Sequence, residues 1–159
     1  MHLEKRKAFT MLELIFVITI IGILSAIAIP KFAMNRDNAI IVKAKSTVAS
    51  VRNAVATERQ QRVLGGDFSL ITRLSSASGT DVAIFDAFDG NTSNPVLQYP
   101  LQSCKTATTD GCWRETATTA TGSEYTYNMP LTGSVVFELK NNRFDCKDLS
   151  DANCIKLTR

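Results

Sequence analysis

Residues Phe9–Ile29 form an apolar run of 21 residues broken by a single charge, Glu13. As an α-helix this run spans about 30 Å, the thickness of one bilayer core. A carboxylate inside hydrocarbon costs roughly 2.5–3.5 kcal/mol on insertion scales. Glu13 therefore calls for a partner. Lys5, Arg6 and Lys7 precede the run against Glu4 alone. The positive-inside rule then places the N-terminus in the cytoplasm and the remainder of the chain across the membrane. A secretory signal peptide shares the basic start and the apolar core, and Ala26-Ile27-Ala28 reads as its cleavage box. Two features oppose that alternative. Glu13 would interrupt its apolar region without reason, and the helical pattern continues beyond the box.

The continuation runs from Lys31 to Leu64. Ile41, Ala44, Val48, Val51 and Val55 recur at spacings of three and four, which makes one helical stripe. Lys45, Arg52 and Arg59 follow its edge at every seventh residue, while Ser46, Ser50, Asn53 and Thr57 face away. Pro30 is expected to bend the helix rather than end it. Gly65-Gly66 supplies the stop, because glycine readily takes the left-handed conformation. The predicted organisation is a basic leader 1–8, a membrane-spanning half 9–30, an amphipathic half 31–64 and a head 65–159. A plain anchor has no need of the second half; a subunit that packs by its helix does.

Composition narrows the function. The leader carries a net two of the chain's +3 charges, so the remainder is nearly neutral and is no polyanion binder by bulk charge. The single histidine, His2, lies in that leader. Its removal would exclude Ser-His-Asp and Cys-His nucleophiles and most zinc sites, and no catalytic constellation replaces them. An enzyme is not expected. The cysteines are Cys104, Cys112, Cys146 and Cys154, with no Cys-x-x-Cys among them. Their even number and their confinement to the C-terminal part suggest disulfides in an oxidising compartment. Of three pairings, close spacing favours Cys104–Cys112 and Cys146–Cys154, since short loops close easily. Four buried free thiols are the alternative.

Past Gly66 the pattern changes. Phe68–Leu74 and Val82–Phe88 suit either a helical turn or strands, and Asp89–Pro95 is loop chemistry. Trp113–Thr116 and Glu124–Tyr127 read as strands joined by a mobile Thr/Ala/Gly-rich connection. Val135–Lys140 and Arg143–Cys146 flank Asn141-Asn142, a two-residue hairpin signal. That turn sets Leu139 opposite Phe144 and Phe137 opposite Cys146, and a Cys146–Cys154 bond would pin the C-terminal loop. The expected fold is α+β: one long N-terminal helix with a small antiparallel sheet on its stripe.

The basic leader, a small residue, Phe9-Thr10-x-x-Glu13, the apolar helix, and Gly22 and Pro30 within it together resemble the class III signal of type IV pilins and type II secretion pseudopilins. The motif is specific and covers residues 5–35; the rest agrees in architecture. The resemblance implies that prepilin peptidase cuts between Ala8 and Phe9 on the cytoplasmic face and methylates the new amine of Phe9. The family usually has glycine where this chain has Ala8. The resemblance further implies that Glu13 pairs with the N-terminal ammonium of a neighbouring subunit; a carboxylate held among the lipid headgroups is the other reading. Gly22 and Pro30 bracket a stretch that family filaments unwind, and they weaken a helix by about 1 and 3 kcal/mol against alanine. Equally, Gly22 and Ala26 allow close helix approach.

Two further patterns carry less. Asp86, Asp89, Asn91 and Asn94 offer oxygen ligands for Ca²⁺, but without the spacing of a known calcium loop, and a solvated turn accounts for them. Lys105, Arg114, Arg143, Lys147, Lys156 and Arg159 interleave with Asp110, Glu115, Asp145, Asp148 and Asp151, which reads as a mixed surface rather than a nucleic-acid site. The expected protein is a single-pass subunit of the bacterial inner membrane with a periplasmic head. It would polymerise with itself and other pilin-like subunits on an inner-membrane assembly platform, in a type II secretion pseudopilus or a competence pilus. A major or minor type IV pilin is the alternative, and a non-polymerising tethered binding head is a rival of another class.

Overall fold

The computed structural model describes residues 9–159. The chain divides after Asn38 into two compact units, and the helix α1, Met11–Leu64, contributes to both. In the first unit Leu14, Ile15, Phe16, Ile18, Ile21, Ile23 and Leu24 are exposed on every side of the helix. The helix continues through Pro30, whose missing N–H leaves one carbonyl of the ladder without its donor. This helix is long and apolar enough to cross a membrane.

The second unit, residues 39–159, is built on the other part of α1. Ala44, Val48, Val51 and Val55 are fully buried, as their spacing predicts, while Ser46, Ser50, Asn53 and Thr57 are exposed. The helix ends in a Schellman motif. Gly66 stands at φ 79°, its N–H reaches Val63 O at 3.1 Å, and Asp67 N–H reaches Arg62 O at 2.8 Å.

Two sheets follow. Strands β1 (Ala83–Ile84) and β2 (Leu101–Gln102) form a short antiparallel pair. Strands β3 (Trp113–Thr119), β4 (Gly122–Met129), β5 (Gly133–Lys140) and β6 (Arg143–Cys146) form an antiparallel meander in sequence order. The β5–β6 turn is the predicted one: Asn141 and Asn142 have φ of 52° and 58°, Leu139 pairs with Phe144, and Phe137 pairs with Cys146. The inner face carries Trp113, Tyr125, Tyr127, Phe137, Leu139 and Phe144, which share one core with the helix stripe. Phe137 stacks on Phe144 at 5.2 Å between ring centroids and meets Trp113 edge-on at 5.3 Å.

Three expectations are corrected. The Thr/Ala-rich connection before Ser123 is ladder, not a mobile loop: Ala117, Thr118 and Thr119 pair with Glu124, Ser123 and Gly122. A bulge at Thr116 absorbs the change of register, and ordinary strand alternation before it turns both Trp113 and Glu115 inward. Phe68–Leu74 is neither helix nor strand but a strap held by side chains. The C-terminal loop contains a helix, α2 (Ala152–Thr158), capped by Asp151, whose carboxylate accepts from Asn153 N at 2.9 Å.

Gly122 shows how closely β4 and β5 approach, because a Cβ there would lie 1.9 Å from the carbonyl oxygen of Leu139. Gly122→Ala is expected to destabilise the protein by about 1–3 kcal/mol, read as a lower urea midpoint in detergent. An unchanged midpoint would show that this strand pair tolerates separation.

Candidate assembly site

The site begins where the described residues begin. Thr10 caps α1: its hydroxyl accepts from Glu13 N at 3.2 Å, and its carbonyl accepts from Leu14 N at 3.1 Å. Thr10-x-x-Glu13 thus has the spacing of a capping box, with Glu13 at the third helical position. Sequence reasoning treated Glu13 only as a charge in need of a partner and missed this local role, although the spacing displays it. The positive end of the helix dipole also favours a carboxylate there. The Glu13 side chain is exposed, and among the described residues it has no ion-pair partner. Phe9 is exposed too. Ala8 and His2 lie outside the described residues.

The apolar segment is internally tidy. Thr19 Oγ1 donates to Phe16 O at 2.8 Å, which satisfies its hydroxyl within the helix. A Cβ on Gly22 would meet nothing within 4 Å. No contact within the described chain requires glycine at that position. Gly22 and Pro30 both lie within α1.

The head's polar side chains serve its own fold. Asp89 Oδ1 accepts from Thr72 N at 2.7 Å, Thr72 Oγ1 at 2.8 Å and Arg73 N at 3.1 Å, while Oδ2 receives Arg62 at 2.7 Å. Burial pushes the Asp89 carboxyl up, but the Thr72 amide and Arg62 outweigh it and hold the group below its ordinary range. Arg62 also bonds Glu58 at 2.7 Å, and Glu58 accepts from Asn94 Nδ2 at 3.0 Å. Glu58 sits at the C-terminal end of the buried stripe, a role the sequence reading did not assign. Asp86 bonds the amide and hydroxyl of Ser76, and Asn91 Oδ1 accepts from Ser93 N at 3.1 Å. Of the four candidate calcium ligands, Asp89 and Asn94 thus join one network through Arg62 and Glu58, while Asp86 and Asn91 are engaged by Ser76 and Ser93. Among the described residues no three His, Cys, Asp or Glu side chains gather as a metal site.

A second ion pair ties the strap to the sheet. Arg73 grips Glu115 through Nε and Nη2, the latter at 2.6 Å, and the Glu115 side chain is only 2% exposed. Tyr125 donates to Glu115 at 3.1 Å and accepts from Leu74 N at 2.8 Å; burial pushes its hydroxyl well above the ordinary phenol range. Tyr127 donates to Ile40 O at 3.2 Å, and burial, with Asp110 nearby, raises it to about 12. The basic scatter is partly neutralised, with Lys147 on Glu124 at 2.6 Å and Arg143 3.5 Å from Asp145. Arg52, on the edge of the stripe, bonds Phe144 O and Asp145. The disulfides are Cys104–Cys112 and Cys146–Cys154, with Cα–Cα separations of 5.2 and 6.0 Å.

A long helix, apolar all round at its N-terminal part, with an antiparallel sheet packed on its C-terminal stripe, is a pilin-like α+β architecture. Sequence comparison agrees. The family model described as the prokaryotic N-terminal methylation motif matches residues 4–29. The Type IV narrow pilus major component PilA5 of Thermus thermophilus is 48% identical over 52 residues, 33% of this chain and 45% of that protein. The Type II secretion system core protein G of Escherichia coli is 36% identical over 52 residues, 33% of this chain and 36% of that protein. The chain thus spans less than half the length of either relative. No solved structure matches the chain. Residues 4–29 carry the methylation motif, and a third of the chain is similar to a type IV pilus component and to a type II secretion protein.

Asp89 gives the head an acid limit. The unfolded carboxyl, with a pKa near about 4, takes a proton before the folded one does. Its stabilisation is complete above that pH and is lost as pH falls through the lower folded value. Asp89→Asn is expected to flatten the acid limb of stability below about pH 4, read from urea melts at each pH. Superimposable limbs would show that Asp89 does not set it.

Proposed function

We propose that this chain is a structural subunit of a bacterial inner-membrane filament, a type II secretion pseudopilus or a competence pilus, and that it acts by polymerising rather than by catalysis. The observation that carries the reading is Glu13, an exposed carboxylate without an ion-pair partner among the described residues, at the start of a helix apolar on every side. Prepilin peptidase cuts between Ala8 and Phe9 and methylates the new amine. The resulting ammonium at Phe9 meets Glu13 of a neighbouring copy. Removing one member of such a buried pair costs about 3–5 kcal/mol, because the other charge is left uncompensated. The pair is thus a setter of register more than a source of stability. Gly22 and Pro30 supply the weak stretch or the close approach that packing of neighbouring helices requires. The leader stays in the cytoplasm, the head lies in the periplasm, and an inner-membrane platform adds subunits to the base.

The higher identity to the narrow-pilus component, 48% against 36%, favours a second reading as a type IV pilus subunit. Both readings share the assembly chemistry.

Glu13→Gln in native cells is expected to leave the subunit in the membrane and to abolish filaments, and mass spectrometry of the unmodified subunit is expected to find N-methyl-Phe9. Normal filaments from Glu13→Gln would sink the pairing. An N-terminus at Ile29 would instead mark ordinary secretion, and an intact Met1 a plain anchor.

A further inference from the structure

Leu131 is the least economical residue of the head. It lies in the β4–β5 turn, is 89% exposed, and has φ of 69°, a left-handed conformation that a branched apolar side chain rarely adopts. Its surroundings hold it there. Asn153 Nδ2 donates to Thr132 O at 2.9 Å. Asn153 belongs to α2, which Cys154 ties to β6 through Cys146. Strained backbone of this kind persists only where the structure around it over-determines it. Here it presents a bare apolar side chain at a fixed point.

The opposite end of the same sheet offers a receptor. Strand β5 leads from Gly133, next to the Leu131 turn, to Lys140, next to the Asn141-Asn142 turn, a separation of about 25 Å. Beside Asn142 and Arg143 an open groove is lined by Ala56, Arg59, Val63 and Leu64 of α1. Its floor is apolar and Leu64 is exposed. Its rim carries two arginines: Arg59 has no ion-pair partner among the described residues, and Arg143, 3.5 Å from Asp145, keeps its side chain 76% exposed. Acidic groups flank the Leu131 end instead. Asp151 caps the helix that holds the turn, and Asp110 precedes Gly111, whose N–H bonds Asn128 O at 2.8 Å. The two ends thus carry charges of opposite sign, and they belong to one unit.

We propose that the Leu131 turn of one copy inserts into the Arg59–Arg143 groove of a second copy. This inference rests on the filament reading above and names the head surfaces that would meet in it. Knob and groove lie at opposite ends, so the contact is head-to-tail and does not close unless rotation brings the chain of copies back on itself. Asp110 and Asp151 of the entering copy approach Arg59 and Arg143 of the receiving one, and opposite charges at the rim fix the orientation.

The test uses the full chain in cells that make the filament. Ala56→Cys with Leu131→Cys in one chain is expected to give, on mild oxidation, a ladder of dimers, trimers and higher species, while either single variant stays monomeric. Leu131→Gly separates docking from folding. Glycine takes the left-handed φ without steric cost, so the melting temperature should hold or rise, while filament yield falls at least tenfold. Three results overturn the proposal and leave the filament reading intact: normal filaments from Leu131→Gly, no cross-linking of the double variant above the single ones in intact filaments, or a closed dimer without higher species. Absence of filaments from the unmodified chain overturns both.

Discussion

Small residues on one stripe of α1 set how the head is built. Ala44, Val48, Val51 and Val55 are short, and the space between helix and sheet is filled by the sheet's own aromatic side chains. Volume is thereby divided unevenly across the interface: alanine and valine on the helix, and Trp113, Tyr125, Tyr127, Phe137 and Phe144 on the sheet. Close packing makes each side dependent on the other, since neither surface is covered without its partner.

The irregular segment between helix and sheet is held by polar bonds rather than by pairing. Asp89 replaces a strand neighbour for Thr72 and Arg73, and Asn142 Oδ1 accepts from Ile71 N at 2.6 Å. Ser123 Oγ donates to Thr72 O at 2.7 Å. The Arg73–Glu115 pair then anchors the strap over β3 and β4. A buried ion pair adds little net stability against an apolar pair of the same size, but losing one partner is costly. Its value here is positional, because it fixes where a segment without secondary structure lies.

Features that repeat or that obey local rules were legible in the sequence. The stripe of α1 follows from spacing, the β5–β6 hairpin from two asparagines tolerant of positive φ, and the helix end from Gly66. The preference for near-neighbour cysteine pairs rested on loop length alone, and the structure places both pairs within bonding distance. What escaped depends on partners distant in sequence. Glu58 looks like a solvent-facing residue until Arg62 and Asn94 surround it. Thr118 and Thr119 look like loop until Ser123 and Gly122 pair with them. The seven residues of α2 are too few for a periodic signal, and the cap at Asp151 is recognisable only once the helix is known. For the assembly site, Glu13 stood out as a charge, whereas its capping geometry required the start of the helix to be placed.

Most polar and strained features of the head are explained by its own fold: Asp89, Glu115, Tyr125 and Asn153 all meet partners within it. Local choices in a natural sequence tend to agree with the fold, and exceptions collect where function demands them. The exceptions here are few. Among the described residues Glu13 has a charge without a counter-charge, the residues around it have apolar surface without a cover, and Leu131 has a strained backbone that exposes an apolar side chain. None of these is improved by any contact within the described chain. In the assembly we propose, a second copy supplies what each lacks: an ammonium for Glu13, neighbouring helices for the apolar surface, and a groove for Leu131. The unsatisfied features of one molecule thus specify what a molecule like itself would supply.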